Sequence, residues 1–217
     1  MKSNSLPLVI FPLLLIHFHQ SVALLEPATL DESYATSPMA SQPPESDVKQ
    51  FIHTSCQSTL YQDLCFNSLI FYANTIQHDS ARLTRIAIKI SLTRAKNMAN
   101  YISYLSSQAD SGGEPTTKSA LHDCYALFGD AVDQMRDSLK QMQQLNGSGG
   151  SLRFQMSNVQ TWLSAAMTNE DTCSDGLSDV PNLVIKENVM DRVNKAMHVT
   201  SNALALVNKF VAQVVKP

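Results

Sequence analysis

Apolar positions along this chain recur at helical spacing in four long segments, set apart by clusters of glycine, proline, serine and asparagine. The segment predicted over residues 82–107 places Leu83, Ile86, Ala87, Ile90, Asn97, Met98, Tyr101 and Leu105 on one side, with a gap at Arg94. Over 117–145 the stripe is Leu121, Tyr125, Phe128, Val132, Met135, Leu139 and Met142. Its spacings alternate between four and three residues, an a/d seam kept up for three heptads. Leu152, Met156, Val159, Leu163 and Ala166 continue the same rhythm over 152–171. Val189, Val193, Ala196, Thr200, Leu204, Val207, Val211 and Val214 do so over 183–215.

The breaks carry turn chemistry. Residues 110–115 contain Ser-Gly-Gly and Pro115, residues 146–151 read Asn-Gly-Ser-Gly-Gly-Ser, and residues 174–182 hold Asp-Gly and Pro181. Connections this short make consecutive helices antiparallel neighbours. The predicted architecture is all-α, an up-down-up-down four-helix bundle over 81–217 whose first helix is about 40 Å long. Seven glycines in 217 residues suit a helical chain, and that length suits one domain or at most two.

The N-terminus changes the address. Lys2, the apolar run Leu6 to Ile16 and the small residues Ser21-Val22-Ala23 are the three parts of a secretory signal, expected to span 1–23. The apolar run falls short of the roughly 20 residues that cross a bilayer, and no later segment does better. Residues 24–46 hold Pro27, Pro38, Pro43, Pro44 and several serines, the composition of a flexible leader. The folded domain is expected over 47–217, in a protein exported to the extracellular space and not bound to membrane. A formal net charge of −3 without a basic run argues against nucleic acid as a partner.

Four cysteines in an exported chain imply two disulfides, with three possible pairings. The middle of the second connection lies near residue 148, with Cys124 24 residues before it and Cys173 25 after it. Positions equidistant from the turn of an antiparallel hairpin come together, so Cys124–Cys173 is the natural bridge and Cys56–Cys65 remains. No Cys-x-x-Cys pair supports a zinc site. The sequon Asn146-Gly147-Ser148 offers a glycosylation site in a Gly/Ser connection.

No catalytic constellation assembles. Gly-x-Ser-x-Gly, His-Glu-x-x-His and a phosphate-binding loop are all missing from the sequence. Ser46-x-x-Lys49 is a chance match at the edge of the leader, and His53, His78, His122 and His198 share no face. The methionines follow the heptads and read as core. No enzyme activity, metal, cofactor or small-molecule substrate is expected. One surface stands out. At about 100° per residue, Asp123, Asp130, Asp133 and Asp137 cluster opposite the apolar stripe of the second helix. Such a face serves either as ordinary solvated surface or as a docking surface for a basic or polar partner.

The segment Phe51-Ile-His-Thr-Ser-Cys-Gln-Ser-Thr-Leu-Tyr-Gln-Asp-Leu-Cys65 resembles the opening of the plant invertase and pectin methylesterase inhibitor family. Ala120-Leu-His-Asp-Cys-Tyr125, Asp130-Ala-Val-Asp133, Thr161-Trp-Leu-Ser-Ala-Ala-Met-Thr-Asn-Glu-Asp-Thr-Cys173 and Ser201-Asn-Ala-Leu-Ala205 extend the resemblance across about 48–217. It implies a four-helix bundle preceded by a short helical hairpin (here 47–80), with the first cysteine joined to the second and the third to the fourth. It also implies an inhibitor that binds a carbohydrate-active enzyme one to one in the apoplast. The invertase branch carries Pro-Lys-Phe early in the third bundle helix. Here Met156-Ser157-Asn158 stands in that place, and Pro-Lys-Phe occurs nowhere in the chain.

The Thr-Trp-Leu-Ser-Ala-Ala run is instead similar to the methylesterase-inhibitor branch, in which the second and third bundle helices cover the enzyme's pectin-binding cleft. The family's contact positions then fall on Ala126, Asp130, Asp133, Thr172 and Asp175, with Ala126 standing where a glutamate is common. The Cys124–Cys173 bridge is expected to hold Thr172 and Asp175 beside the aspartate face. The same domain also precedes the catalytic domain of some pectin methylesterases, and ending at Pro217 makes this chain resemble the free-standing form. An invertase inhibitor, or a bundle of this fold that inhibits neither enzyme, are the alternatives.

Overall fold

A computed structural model describes residues 45–215. The expected signal peptide and almost all of the expected leader lie outside them. The described chain is helical in α1 (Glu45–Cys56), α2 (Gln62–Leu69), a single 3-10 turn (Ile70–Tyr72), α3 (Ala73–Ile76), α4 (Ser80–Asp110), α5 (Pro115–Gln143), α6 (Gly149–Gly176) and α7 (Leu183–Val214). The four long helices form a ring in which α5 packs on α4 and α6, and α7 closes it against α4. Paired contacts show the antiparallel order: Ser91 and Tyr101 of α4 meet Val199 and Arg192 of α7, and Gln134 and Gln141 of α5 meet Asn169 and Gln155 of α6.

Helices α4 and α6 run two to five residues beyond the periodic segments that predict them, α5 begins and ends two residues earlier than its segment and α7 matches its own to within one residue. Side chains cap the starts of α4, α5 and α7. Asp79 accepts from the backbone N–H groups of Ala81 and Arg82 at the start of α4. Glu114 accepts from Thr116 and Thr117 at the start of α5, with Pro115 in the first turn, and these bonds lower its pKa to about 2. Asn182 accepts from Ile185 at the start of α7. The α4–α5 turn needs its glycines. Gly112 has φ +141°, and a Cβ on Gly113 would stand 2.7 Å from the Ala109 carbonyl oxygen.

The seam of α5 is Leu121, Cys124, Phe128, Ala131, Val132, Met135, Ser138 and Met142, all buried. This corrects the predicted stripe: Tyr125 is 48% exposed and Leu139 only half-buried. Small side chains hold the positions between the large ones, which brings the helices close enough for Phe128 and Leu163 to be fully buried. Each such side chain contributes roughly 1.5–3 kcal/mol. On α4 the predicted face merges two faces. Ile88, Ser91, Ala95, Met98 and Ile102 enter the bundle, Asn97 is exposed, and Leu83 and Ala87 turn to a second core. On α7 the predicted seam holds from Val189 to Thr200 and again at Val207. Leu204 and Val211 are half-buried and Val214 is exposed, and Ala203, Leu206 and Phe210 are buried beside the seam.

That second core lies under the N-terminal hairpin. Val48, Ile52, Leu69 and Ile76 pack with Leu83 and Ala87 of α4 and with Ala203 and Leu206 of α7. The Cys56–Cys65 disulfide closes the hairpin, with Cα atoms 5.7 Å apart. Asn202 fastens it to the bundle: its amide donates to the Tyr61 carbonyl at 2.8 Å, and its oxygen accepts from the Tyr61 N–H at 3.1 Å. His198 stacks on the Tyr61 ring, centroids 3.7 Å apart.

Candidate functional site

The seam that buries one side of α5 turns Ala126, Asp130 and Asp133 outward, and the seam of α6 does the same for Thr172 and Asp175; all five are exposed. Two kinds of cross-link hold the two helices in register. Cys124 and Cys173 are both buried and bridged, with Cα atoms 4.6 Å apart. Side-chain amide hydrogen bonds, from Asn169 to Gln134 and from Gln141 to Gln155, join the same pair of helices further along.

With Cys124 opposite Cys173, Thr172 and Asp175 stay within one turn of the bridge. Asp130 lies about 9 Å and Asp133 about 14 Å along α5 from it, at 1.5 Å per residue. All five positions are exposed on the α5–α6 pair. Their polar groups are not equally free. Asp133 is ion-paired with Arg136, three residues on, and the Thr172 hydroxyl donates to the Thr168 carbonyl at 2.8 Å. Asp123, Asp130 and Asp137 are exposed and make no ion pair among the described residues.

Asn146 sits exposed in the α5–α6 connection, at the end of the pair remote from Cys124–Cys173. Gln155 braces it, donating to the Asn146 carbonyl at 2.9 Å and to its side-chain oxygen at 3.3 Å. Among the described residues, no three His, Cys, Asp or Glu side chains converge as a metal ion would require. The described histidines are dispersed: His53 meets Phe66, His78 meets Phe51, His122 bonds Asp110 and His198 lies on Tyr61.

Sequence reasoning passed over three residues here. Arg136 neutralises one carboxylate of the acidic face. Tyr125, taken for core, adds an aromatic ring beside Ala126. Glu170 of α6 is fully buried between Ala166 and Cys173, the one acidic side chain in the core among the described residues, and burial pushes its pKa up to about 8. The heptad count from Val159 through Leu163 and Ala166 lands on position 170, so the signal was present. A carboxylate at that step breaks the apolar pattern and hides it.

The chain is similar over 166 residues to the 21 kDa protein of Daucus carota, at 40% identity across 76% of this chain and 85% of that one. It is 38% identical over 197 residues to Pectinesterase inhibitor 9 of Arabidopsis thaliana, covering 87% of this chain and 91% of the relative. The crystal structure of mutant form A of a pectin methylesterase inhibitor from Arabidopsis superposes with TM-score 0.57 at 18% identity, over 72% of this chain and 95% of that one, a likeness of fold. The family model of the plant invertase/pectin methylesterase inhibitors matches residues 50–206. The chain therefore belongs to the plant invertase/pectin methylesterase inhibitor family.

Proposed function

We propose that this protein is an extracellular inhibitor of pectin methylesterase, binding one enzyme molecule and covering its pectin-binding cleft with the outer face of α5 and α6. The observation that carries this reading is the length over which the chain follows Pectinesterase inhibitor 9, almost end to end in both proteins. The face itself suits the task. It is rigidly registered by a buried disulfide, and it offers Asp130, Asp133, Thr172 and Asp175 as hydrogen-bonding groups around Tyr125 and Ala126. A glycan on Asn146 would stand at the far end of the helix pair and leave the Thr172–Asp175 end open.

Inhibition of this kind asks no chemistry of the inhibitor. Among the described residues, no helix is long and apolar enough to cross a membrane, in keeping with a protein that meets its target in the wall space. Rim carboxylates would set orientation and partner choice, with the aromatic and small side chains between them excluding water. The test titrates the purified protein against pectin methylesterase and acid invertase in parallel. Stoichiometric loss of methylesterase activity with invertase unaffected is the expected result. Inhibition of invertase instead, or of neither enzyme, overturns it.

A further inference from the structure

Charge is unevenly divided around the bundle. Helices α5 and α6 carry four cationic side chains against seven acidic ones. On the other side, α4 carries Arg82, Arg85, Lys89, Arg94 and Lys96 against a lone acid, Asp110, at its last residue. Helix α7 carries four cations against two acids. The two basic helices are neighbours, and a groove of about 280 Å³ runs between them.

Arg94, Asn97 and Tyr101 line the groove from α4; Asn188, Arg192 and Lys195 line it from α7. Its single carboxylate, Asp191, is neutralised by Lys195 at 2.6 Å, one turn away on the same helix. Arg94 and Arg192 make no ion pair among the described residues. The Arg192 guanidinium lies 4.4 Å above the centre of the Tyr101 ring, which holds it over the groove while its N–H edge stays free. Two guanidinium groups without carboxylate partners, facing one cleft and interleaved with side-chain amides, form a receptor for carboxylates flanked by hydroxyls. Arginine pairs with a carboxylate through two parallel N–H donors, and the amides suit sugar hydroxyls.

The geometry points to a binding site for a single chain of uronic acid residues in the α4–α7 groove. An acidic protein fits less well, since a stable protein contact covers about 800 Å² per partner, whereas the unpaired guanidiniums are confined to one narrow cleft. Resting on the reading above, the ligand would be de-esterified pectin, the carboxylated product of the enzyme this protein is proposed to block. Because α4 and α7 lie across the bundle from α5 and α6, polymer and enzyme would be bound at once. The inhibitor would then be retained where demethylesterification has already occurred.

The test measures binding of a defined oligogalacturonate to the intact protein by calorimetry at mildly acidic pH and low salt. Its fully methyl-esterified counterpart and poly-glutamate serve as comparisons. We expect saturable binding of the acid oligomer, weakened at least about tenfold by methyl esterification and by the double change Arg94→Gln with Arg192→Gln. Lys89→Gln, exposed on α4 outside the groove, should leave the affinity unchanged. Both arginines are exposed, so unchanged circular dichroism and melting will show that the variant is folded. The inference is overturned if no saturable binding occurs, if the esterified oligomer binds equally, if the double variant binds like the parent, if Lys89→Gln costs as much, or if poly-glutamate competes equally. Methylesterase inhibition is assayed separately on the same variants. Binding without inhibition would sink the proposed function and leave the groove standing; inhibition without binding would do the reverse.

Discussion

The hydroxyl of Thr200 on α7 donates to Oε1 of Glu170 on α6 across 3.1 Å, while Oε2 of the same carboxyl has no hydrogen-bond partner in the protein. Glu170 is the one ionisable side chain, disulfides aside, that is buried among the described residues, and burial and the Thr200 bond alone set its ionisation. Burial in a low-dielectric core disfavours the carboxylate more than the Thr200 bond supports it, and the pKa rises to about 8.

The consequence for stability has a definite sign. Between an ordinary carboxylate pKa and about 8, the folded protein holds a proton that the unfolded chain releases. The contribution of this group is therefore complete at acidic pH and is lost as pH rises through that window. Urea midpoints should fall from acidic to mildly alkaline pH, by an amount worth on the order of several kcal/mol. Glu170→Gln keeps an acceptor for Thr200 and cannot ionise, so it should remove most of that slope. An equal slope in the variant would place the pH dependence elsewhere.

Asn202 is the hinge pin of the hairpin. It satisfies both backbone groups of Tyr61, 141 residues away in the chain, from a buried position. Asn202→Ala would leave the Tyr61 N–H without a partner, while the Tyr61 carbonyl keeps the Cys65 N–H at 2.9 Å, at a cost of about 1–3 kcal/mol. The loss should be local. Hydrogen exchange is expected to accelerate over α1 and α2 more than in α5 and α6, and uniform acceleration would show that the hairpin and bundle unfold as one unit.

The bridge between α5 and α6 closes a separation of 49 residues. Replacing Cys124 and Cys173 together by Ala should lower stability by roughly 4 kcal/mol on the chain-entropy account, measured by denaturant titration. Loss of inhibition should accompany it even at temperatures where the variant stays folded, because Thr172 and Asp175 flank the bridge. Full inhibition by a folded double variant would mean that packing alone registers the two helices.

The number and order of the four long helices and the turn chemistry between them were legible in the sequence because each rests on local signals, whereas the N-terminal hairpin was implied only by the family resemblance. The core was legible in part. Leu121, Phe128, Met135 and Met142 are readable at their heptad positions, whereas Ala131 and Ser138 were passed over as too small or too polar. The α4 stripe failed for another reason: Leu83 and Ala87 face the hairpin and Ile88 and Met98 face the bundle, and one helical wheel cannot separate two partners. The acidic face of α5 is simply the complement of its seam and was easy to find. The α4–α7 groove was not, since Arg94 and Arg192 become neighbours only when the ring closes.

The acidic face gives the sharpest test of the proposed contacts. Asp130 and Asp133 project one turn apart from α5. The only ion pair between them and the rest of the described protein is Asp133–Arg136, whose side chains are 71% and 54% exposed. A pair that exposed adds little to folding. The double change Asp130→Ala with Asp133→Ala should therefore leave the melting temperature nearly unchanged. Alanine also suits a helix interior better than aspartate, which offsets part of any loss. If these carboxylates hydrogen-bond to the rim of the enzyme's cleft, the same change should weaken inhibition at least tenfold, about 1.4 kcal/mol. Arg136→Ala separates the two roles: freeing Asp133 from its partner should preserve or strengthen inhibition. A double variant that inhibits like the parent would remove these residues from the interface. One that melts much earlier would make the face structural and leave the docking surface to be sought around Tyr125 and Thr172.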